Sequence, residues 1–311
     1  MHDTHAGPAG AARLLRELQD LKRLRPAHLS YSIATEQFRR GWRGLIAGRD
    51  AEGLALTTTL ACLLSVLFPG VDERFFAAAR LDQDAAVDIL RRALDRTAGD
   101  QLAEPLLRAL HRVLPDYVED LFSESGDHPR LPEPLEVLCR QPRAGATHPE
   151  HPRLVLEPPE MHSDHCLLTA VYAVCYADGY GSDYATPWIA GMSHHLHNAY
   201  LPDCGYAGEI CLGDRLESVI ENCRNAAIAW LPNEVRDPVR EALGHHESLD
   251  APAGRAISAG DVLDRVLDVQ WRTRAAAVTN QEILGELDLV HPGPLKEFQT
   301  DLLASTGLWT A

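Results

Sequence analysis

Apolar residues recur at three- and four-residue spacing along most of the chain, the pattern of helices that each bury one face. Leu14, Leu15, Leu18 and Leu21 begin the series. Val87, Leu90 and Leu94 continue it, followed by Leu106, Leu107 and Leu110. The periodicity runs from about Ala9 to Phe122 and predicts a helical N-terminal region over residues 1–122. Within it, Leu54–Phe68 is an apolar stretch broken by three threonines and a serine. It is too short to span a bilayer and reads as a buried helix. The strict alternation that marks strands is nearly absent, so the pattern predicts an all-α fold class.

The character changes between Ser123 and Glu160. Eight of the chain's 20 prolines lie there, from Pro129 to Pro159. Proline removes a backbone donor and interrupts both helix and sheet, so 123–160 reads as a linker or surface strap. From Met161 to the end, residues 161–311, the helical pattern returns. Helices are predicted over Leu167–Ala177 and Pro187–His197. A third covers Leu212–Leu231, with Leu216, Val219, Ile220 and Cys223 on one face. Pro238–Leu243 begins a fourth, with Asp237 as its N-cap and the proline at its first position. Ala259–Ala275 is a fifth, and Gln281–Leu308 holds one or two more.

Composition narrows the partners. With 45% hydrophobic and 24% charged residues over 311 positions, the chain is ordinary for a globular protein. Its net charge of −16 repels nucleic-acid backbones and anionic membranes, so neither is expected as a partner. An anionic small-molecule substrate would need a local positive centre, such as a metal ion. The seven cysteines include no CxxC pair, which argues against a zinc ribbon or a disulfide framework. Asp3 and the lack of a following hydrophobic segment give no sign of a signal peptide, so a cytoplasmic location is expected. An unmatched apolar face on such a bundle would favour a homodimer.

Histidine carries the chemistry. Seven of the 15 fall between 162 and 246: His162, His165, His194, His195, His197, His245 and His246. Imidazole is a common ligand for zinc, iron, nickel and copper. Three helices that each offer histidine, with a carboxylate from another, can surround one or two metal ions.

The order of these residues resembles the HD-domain superfamily of metal-dependent phosphohydrolases. His165 opens Cys166-Leu167-Leu168-Thr169-Ala170-Val171, like that family's first histidine ahead of an apolar helix. His194-His195, 29 residues later, stands where the family has its His-Asp pair. Asp261 stands where the family's final aspartate begins a helix turn, with Asp264 and Asp268 one and two turns on. The resemblance covers roughly 160–275. It implies an HD-like helical bundle with His165, His194 and Asp261 as metal ligands and His195 as a further ligand or close neighbour. The name-giving aspartate is replaced by His195, and an imidazole with one lone pair cannot bridge two ions. The site therefore holds one metal, or Asp203 or Glu209 takes the bridging role. Asn198 replaces the lysine that commonly follows.

The resemblance implies hydrolysis of a phosphoester or nucleotide-like small molecule, using one or two Fe, Zn, Ni or Mn ions per chain. Glu209, Asp203, His197 and His246 are the candidates for moving the proton. An HD-type iron oxygenase or lyase is the second reading, and a non-catalytic sensor or partner-binding scaffold the third. Asp164 reads as a helix N-terminal carboxylate, Glu247 as an exposed acid or a general base, and His291 as part of a turn. Arg215, Arg224, Arg265 and Arg272 read as mid-helix arginines. Most would face solvent, with one or two free to clamp an anionic substrate.

Overall fold

A computed structural model describes residues 11–123, 130–246, 248–273, 279–286 and 288–308. It is all-α apart from one small hairpin. The N-terminal part contains α1 (Ala12–Leu18), a 3-10 turn at Gln19–Lys22, α2 (Ile33–Ile46), α3 (Ala51–Ser65), α4 (Glu73–Ala79), α5 (Gln83–Ala98) and α6 (Glu104–Ser123). Four of these helices start on a side chain that accepts a backbone N–H three residues on: Ser32, Asp50, Asp72 and Asp82. Each satisfies a donor that the first helical turn leaves open.

The proline-rich stretch is more ordered than a strap. Glu133–Leu138 forms a short helix, α7, with Pro134 in its first turn, where the missing N–H costs nothing. Ala146–His148 (β1) pairs antiparallel with His151–Leu154 (β2). The chain then runs to a bridge between Pro142 and Met161, at the start of the next helix.

The remaining α-helices are α8 (His162–Tyr180), α9 (Ala185–Ser193), α10 (Gly205–Glu209), α11 (Leu216–Ile228), α12 (Asn233–Gly244), α13 (Pro252–Thr273) and α14 (Lys296–Ser305), with a 3-10 turn at Ile210–Arg215 ahead of α11 and a π-helical turn at Gln281–Glu286. The second predicted helix ends early: α9 stops at Ser193, and Leu196–Ala199 is a separate 3-10 turn. The fourth starts early. Asn233 opens α12, Pro238 lies inside it, and Asp237 pairs with Arg240 on its surface instead of capping it. In α11 the predicted face turns inward, yet Leu216, Val219, Ile220 and Cys223 are only half-buried.

Helix α8 is the axis of the molecule. It is buried from His162 to Ala177, which its apolar character on all sides anticipates. Helices α13 and α9 pack along it, and α2 and α3 cover another side. Buried apolar residues from Leu14 to Leu308 form one contiguous core. Among the described residues, no helix is long and apolar enough to cross a membrane.

Candidate metal centre

Two glycines decide how closely the site-bearing helices approach. A Cβ on Gly191 of α9 would meet Ala170 Cα of α8 at 2.5 Å. A Cβ on Gly260 of α13 would meet the Thr169 carbonyl oxygen of α8 at 2.4 Å. Backbone therefore packs on backbone at both crossings. His165 in the first turns of α8, His194 just past the end of α9 and Asp261 beside Gly260 are brought to one place. The start of α8 is itself pinned. Asp164 accepts the Met161 N–H at 3.1 Å, as its helix-terminal reading requires, and also accepts the hydroxyls of Thr35, at 2.9 Å, and Ser32.

The His165 and His194 Nε2 atoms lie 3.1 Å apart, and Asp261 Oδ1 is 3.3 Å from His165 Nε2. One nitrogen from each of His165, His194 and His195 lies within 4.8 Å of the others. What fills the opposite side of each ring fixes where its proton sits. His165 Nδ1 donates to Asp264 Oδ2 at 2.6 Å, His194 Nδ1 to the Gly191 carbonyl at 2.7 Å, and His195 Nδ1 to Asn198 Oδ1 at 2.8 Å. The Nδ1 atoms carry protons, which leaves the Nε2 atoms of the neutral His194 and His195 with lone pairs, while the Asp261 carboxylate meets His165 Nε2 and falls outside the three-histidine set. Imidazole nitrogens gathered this closely in a buried place can hold a cation. An ion about 2.1 Å from each nitrogen would give nitrogen–nitrogen separations of roughly 3–4 Å, so the donor set fits a transition metal.

The electrostatics favour the same protonation states. Burial, and then the neighbouring histidines, push the His194 and His195 imidazoles well below their usual pKa, so both are neutral. Burial alone would raise the Asp261 carboxyl. The Arg265 guanidinium at 3.1 Å, with His165 and His194, outweighs it and holds Asp261 ionised.

Beneath the histidines lies a buried ion network. Glu160, His165 and Asp264 also bring ligand atoms within 4.8 Å of one another. That place already has its cation. The Lys22 ammonium pairs with Glu160, with Asp264 at 2.8 Å and with Asp268 at 3.6 Å. Arg23 and Arg272 pair with Asp268, and Arg143 with Glu160 at 3.1 Å. Asp264 and Asp268 are thus supporting groups behind Asp261, and Asp264 sets the tautomer of His165. The N-terminal region contributes directly here through Lys22, Arg23 and Gln19, whose amide donates to Asp264 at 2.7 Å.

His194, His195 and Asp261 line a cavity of about 380 Å³. All four residues read from the sequence as proton carriers line it, in different states. Asp203 is committed to structure: Oδ2 accepts the Ala144 N–H at 2.7 Å and Oδ1 the Gly205 N–H at 3.1 Å. Glu209, half-buried on α10, makes no hydrogen bond or ion pair with the described residues, and burial together with Asp203 raises its pKa. His197, centred 5.5 Å from His195, is pushed down to about 4 by burial and Arg224. His246 stacks on His194 with ring centres 5.4 Å apart.

His291, read as part of a turn, lies in an irregular segment of bends and turns, stacks on Tyr206 at 4.4 Å and lines the same cavity. His162 donates its Nδ1 proton to the Gln141 carbonyl at 3.0 Å, and its Nε2 is buried without a hydrogen bond. Glu247 lies outside the described residues. Lys22, Glu160 and Arg143 escaped the sequence reading. The available signal was that Lys22 is one of only two lysines among 29 basic residues. No protein-family model, curated protein or solved structure matches the chain.

Proposed function

We propose that the chain is a metal-dependent hydrolase of the HD-domain type, acting on a phosphoester of a small molecule. One observation carries this reading: His165, His194 and His195 bring one nitrogen each within 4.8 Å of the others, Asp261 lies 3.3 Å from His165, and His194, His195 and Asp261 line a cavity of about 380 Å³. Each imidazole is oriented by its own hydrogen-bond acceptor. His165, His194, His195 and Asp261 would hold the ion. Their nitrogen-rich character suits iron, zinc, nickel or manganese better than magnesium, which prefers oxygen. A bound ion of this kind lowers the pKa of water and draws charge from a phosphoryl oxygen.

The remaining work falls to the chain's own groups. Glu209 is the carboxyl best placed to carry the proton. It lines the cavity, its oxygens are uncommitted, and its raised pKa brings it closer to neutral pH, where proton transfer is efficient. Asp203 shapes the loop that presents it, and Asn198 keeps the His195 ring in register. Release of inorganic phosphate from a panel of nucleoside monophosphates and aryl phosphates, using metal-reconstituted protein, tests the reading. Turnover should fall by a factor of at least about 100 in Glu209→Gln with metal content unchanged. Absence of phosphate release from every phosphoester by metal-loaded protein overturns it.

The nitrogen-rich ligand set also supports a second reading, an HD-type iron oxygenase. Aerobic loading with ferrous iron would then give a visible absorption band and consume oxygen only in the presence of substrate.

A further inference from the structure

Three guanidinium groups line the histidine cavity of this acidic protein: Arg143, Arg224 and Arg265. In all three the Nε atom is buried without a hydrogen-bond partner. Their other contacts differ. Arg265 pairs with Asp261 at 3.1 Å, and Arg143 with Glu160 at 3.1 Å. Arg224 makes no hydrogen bond or ion pair among the described residues. It sits in α11 at the junction of two spaces, the histidine cavity and a groove of about 640 Å³ along α11 and α12. Leu216, Ile220 and Leu243 give the groove its apolar lining, the exposed Asp214, Glu217 and Glu221 line it too, and His246 is shared with the cavity.

A half-buried guanidinium loses hydration and regains it only through an acceptor. The chain carries an excess of 16 negative charges, yet among the described residues no carboxylate pairs with Arg224, not even the Asp214, Glu217 and Glu221 that line the same groove. The planar fork of arginine matches the paired oxygens of a carboxylate or phosphate.

We propose that Arg224 is an anion-binding residue that takes the oxyanion of an organic ligand whose body lies in the groove along α11 and α12. The site is distinct from the histidine cluster and does not need the metal. It deepens the hydrolase reading, and only the preference for phosphate over carboxylate rests on that reading.

The test is calorimetric titration of full-length, chelator-treated protein with phenyl phosphate, benzoate and inorganic phosphate. Phenyl phosphate binds most tightly, and Arg224→Gln weakens it at least ten-fold. Arg240→Gln, which removes an exposed arginine of α12, binds like the wild type. Ile220→Glu supplies a carboxylate one turn before Arg224 on the same face, so it occupies the guanidinium in cis and blocks the ligand. That variant decides the matter if Arg224→Gln fails to fold.

Wild-type protein that binds none of the three anions overturns the proposal. So does a folded Arg224→Gln or Ile220→Glu protein that binds as the wild type does. Inorganic phosphate bound as tightly as phenyl phosphate overturns the role of the groove. Benzoate bound more tightly than phenyl phosphate contradicts only the preference for phosphate. Anion binding without any phosphoester turnover after metal loading overturns the hydrolase reading and leaves Arg224 in place.

Discussion

Asp264 shows how a residue that touches no ligand can control the site. It is fully buried and accepts from His165, Lys22 and Gln19 at 2.6–2.8 Å. Its bond to Nδ1 holds the His165 ring so that Nε2 faces His194. Carboxylates behind metal-bound histidines typically matter 10- to 100-fold in affinity, about what Asp264→Asn should cost in a competition titration with a chromophoric chelator. The helical circular dichroism should not change. Lys22 carries the complementary load. Replacing it with Met leaves Glu160, Asp264 and Asp268 sharing too few cations in a buried place. A loss of about 3–5 kcal/mol in urea unfolding is expected, as for other broken buried ion pairs. The histidine cluster was legible in the sequence because clustered imidazoles are rare. Lys22 and Glu160 were not, because their meaning is a long-range pairing 138 positions apart.

At the scale of elements, the crossings of α8 with α9 and α13 set how the residues of the candidate site approach one another. Gly191 and Gly260 allow backbone to approach backbone, and any side chain there must push the helices apart. Gly260→Ala should therefore lose metal affinity at least ten-fold, read by the same chelator competition, and should lower the melting temperature as well. Control substitution of Gly244, at the end of α12, meets open space and should change neither. The long helices were readable because α8 and α13 repeat an apolar pattern over several turns. The segment from 123 to 160 was not. Its elements, α7 and the strands β1 and β2, are six residues or fewer and too short to show a period. Pro238 misled for a different reason. A proline is favoured in the first turn but tolerated within a helix whose other contacts hold it, as Val235 and Val239 do for α12.

Across the whole molecule, several histidines are buried in or beside one continuous core. His162, His197 and His291 are each pushed down to about 4, chiefly by burial. In the unfolded chain they titrate near 6.5. The unfolded state thus binds more protons below that pH, so the stability these residues contribute is present above about 6.5. It is lost as pH falls towards 4. Glu160 and Asp261, held low by their cations, add a loss of the same sign at still lower pH. Asp164 and Glu209, raised by burial, act in the opposite direction and offset part of it. The melting temperature of metal-free protein should therefore decline steadily from pH 6.5 to pH 4.5. A flat profile over that range would mean that the three imidazoles titrate normally in the folded chain.

The most direct test of the metal centre is elemental mass spectrometry on protein purified without a nickel column, with Asp261→Ala and His291→Ala alongside. The wild type should carry about one transition-metal ion per chain, since His195 cannot bridge a pair. His291→Ala should retain the ion. Asp261→Ala should lose it with helix content intact. Wild-type protein that holds no metal and takes none up on reconstitution, or Asp261→Ala protein that holds it as firmly as the wild type, would contradict the account.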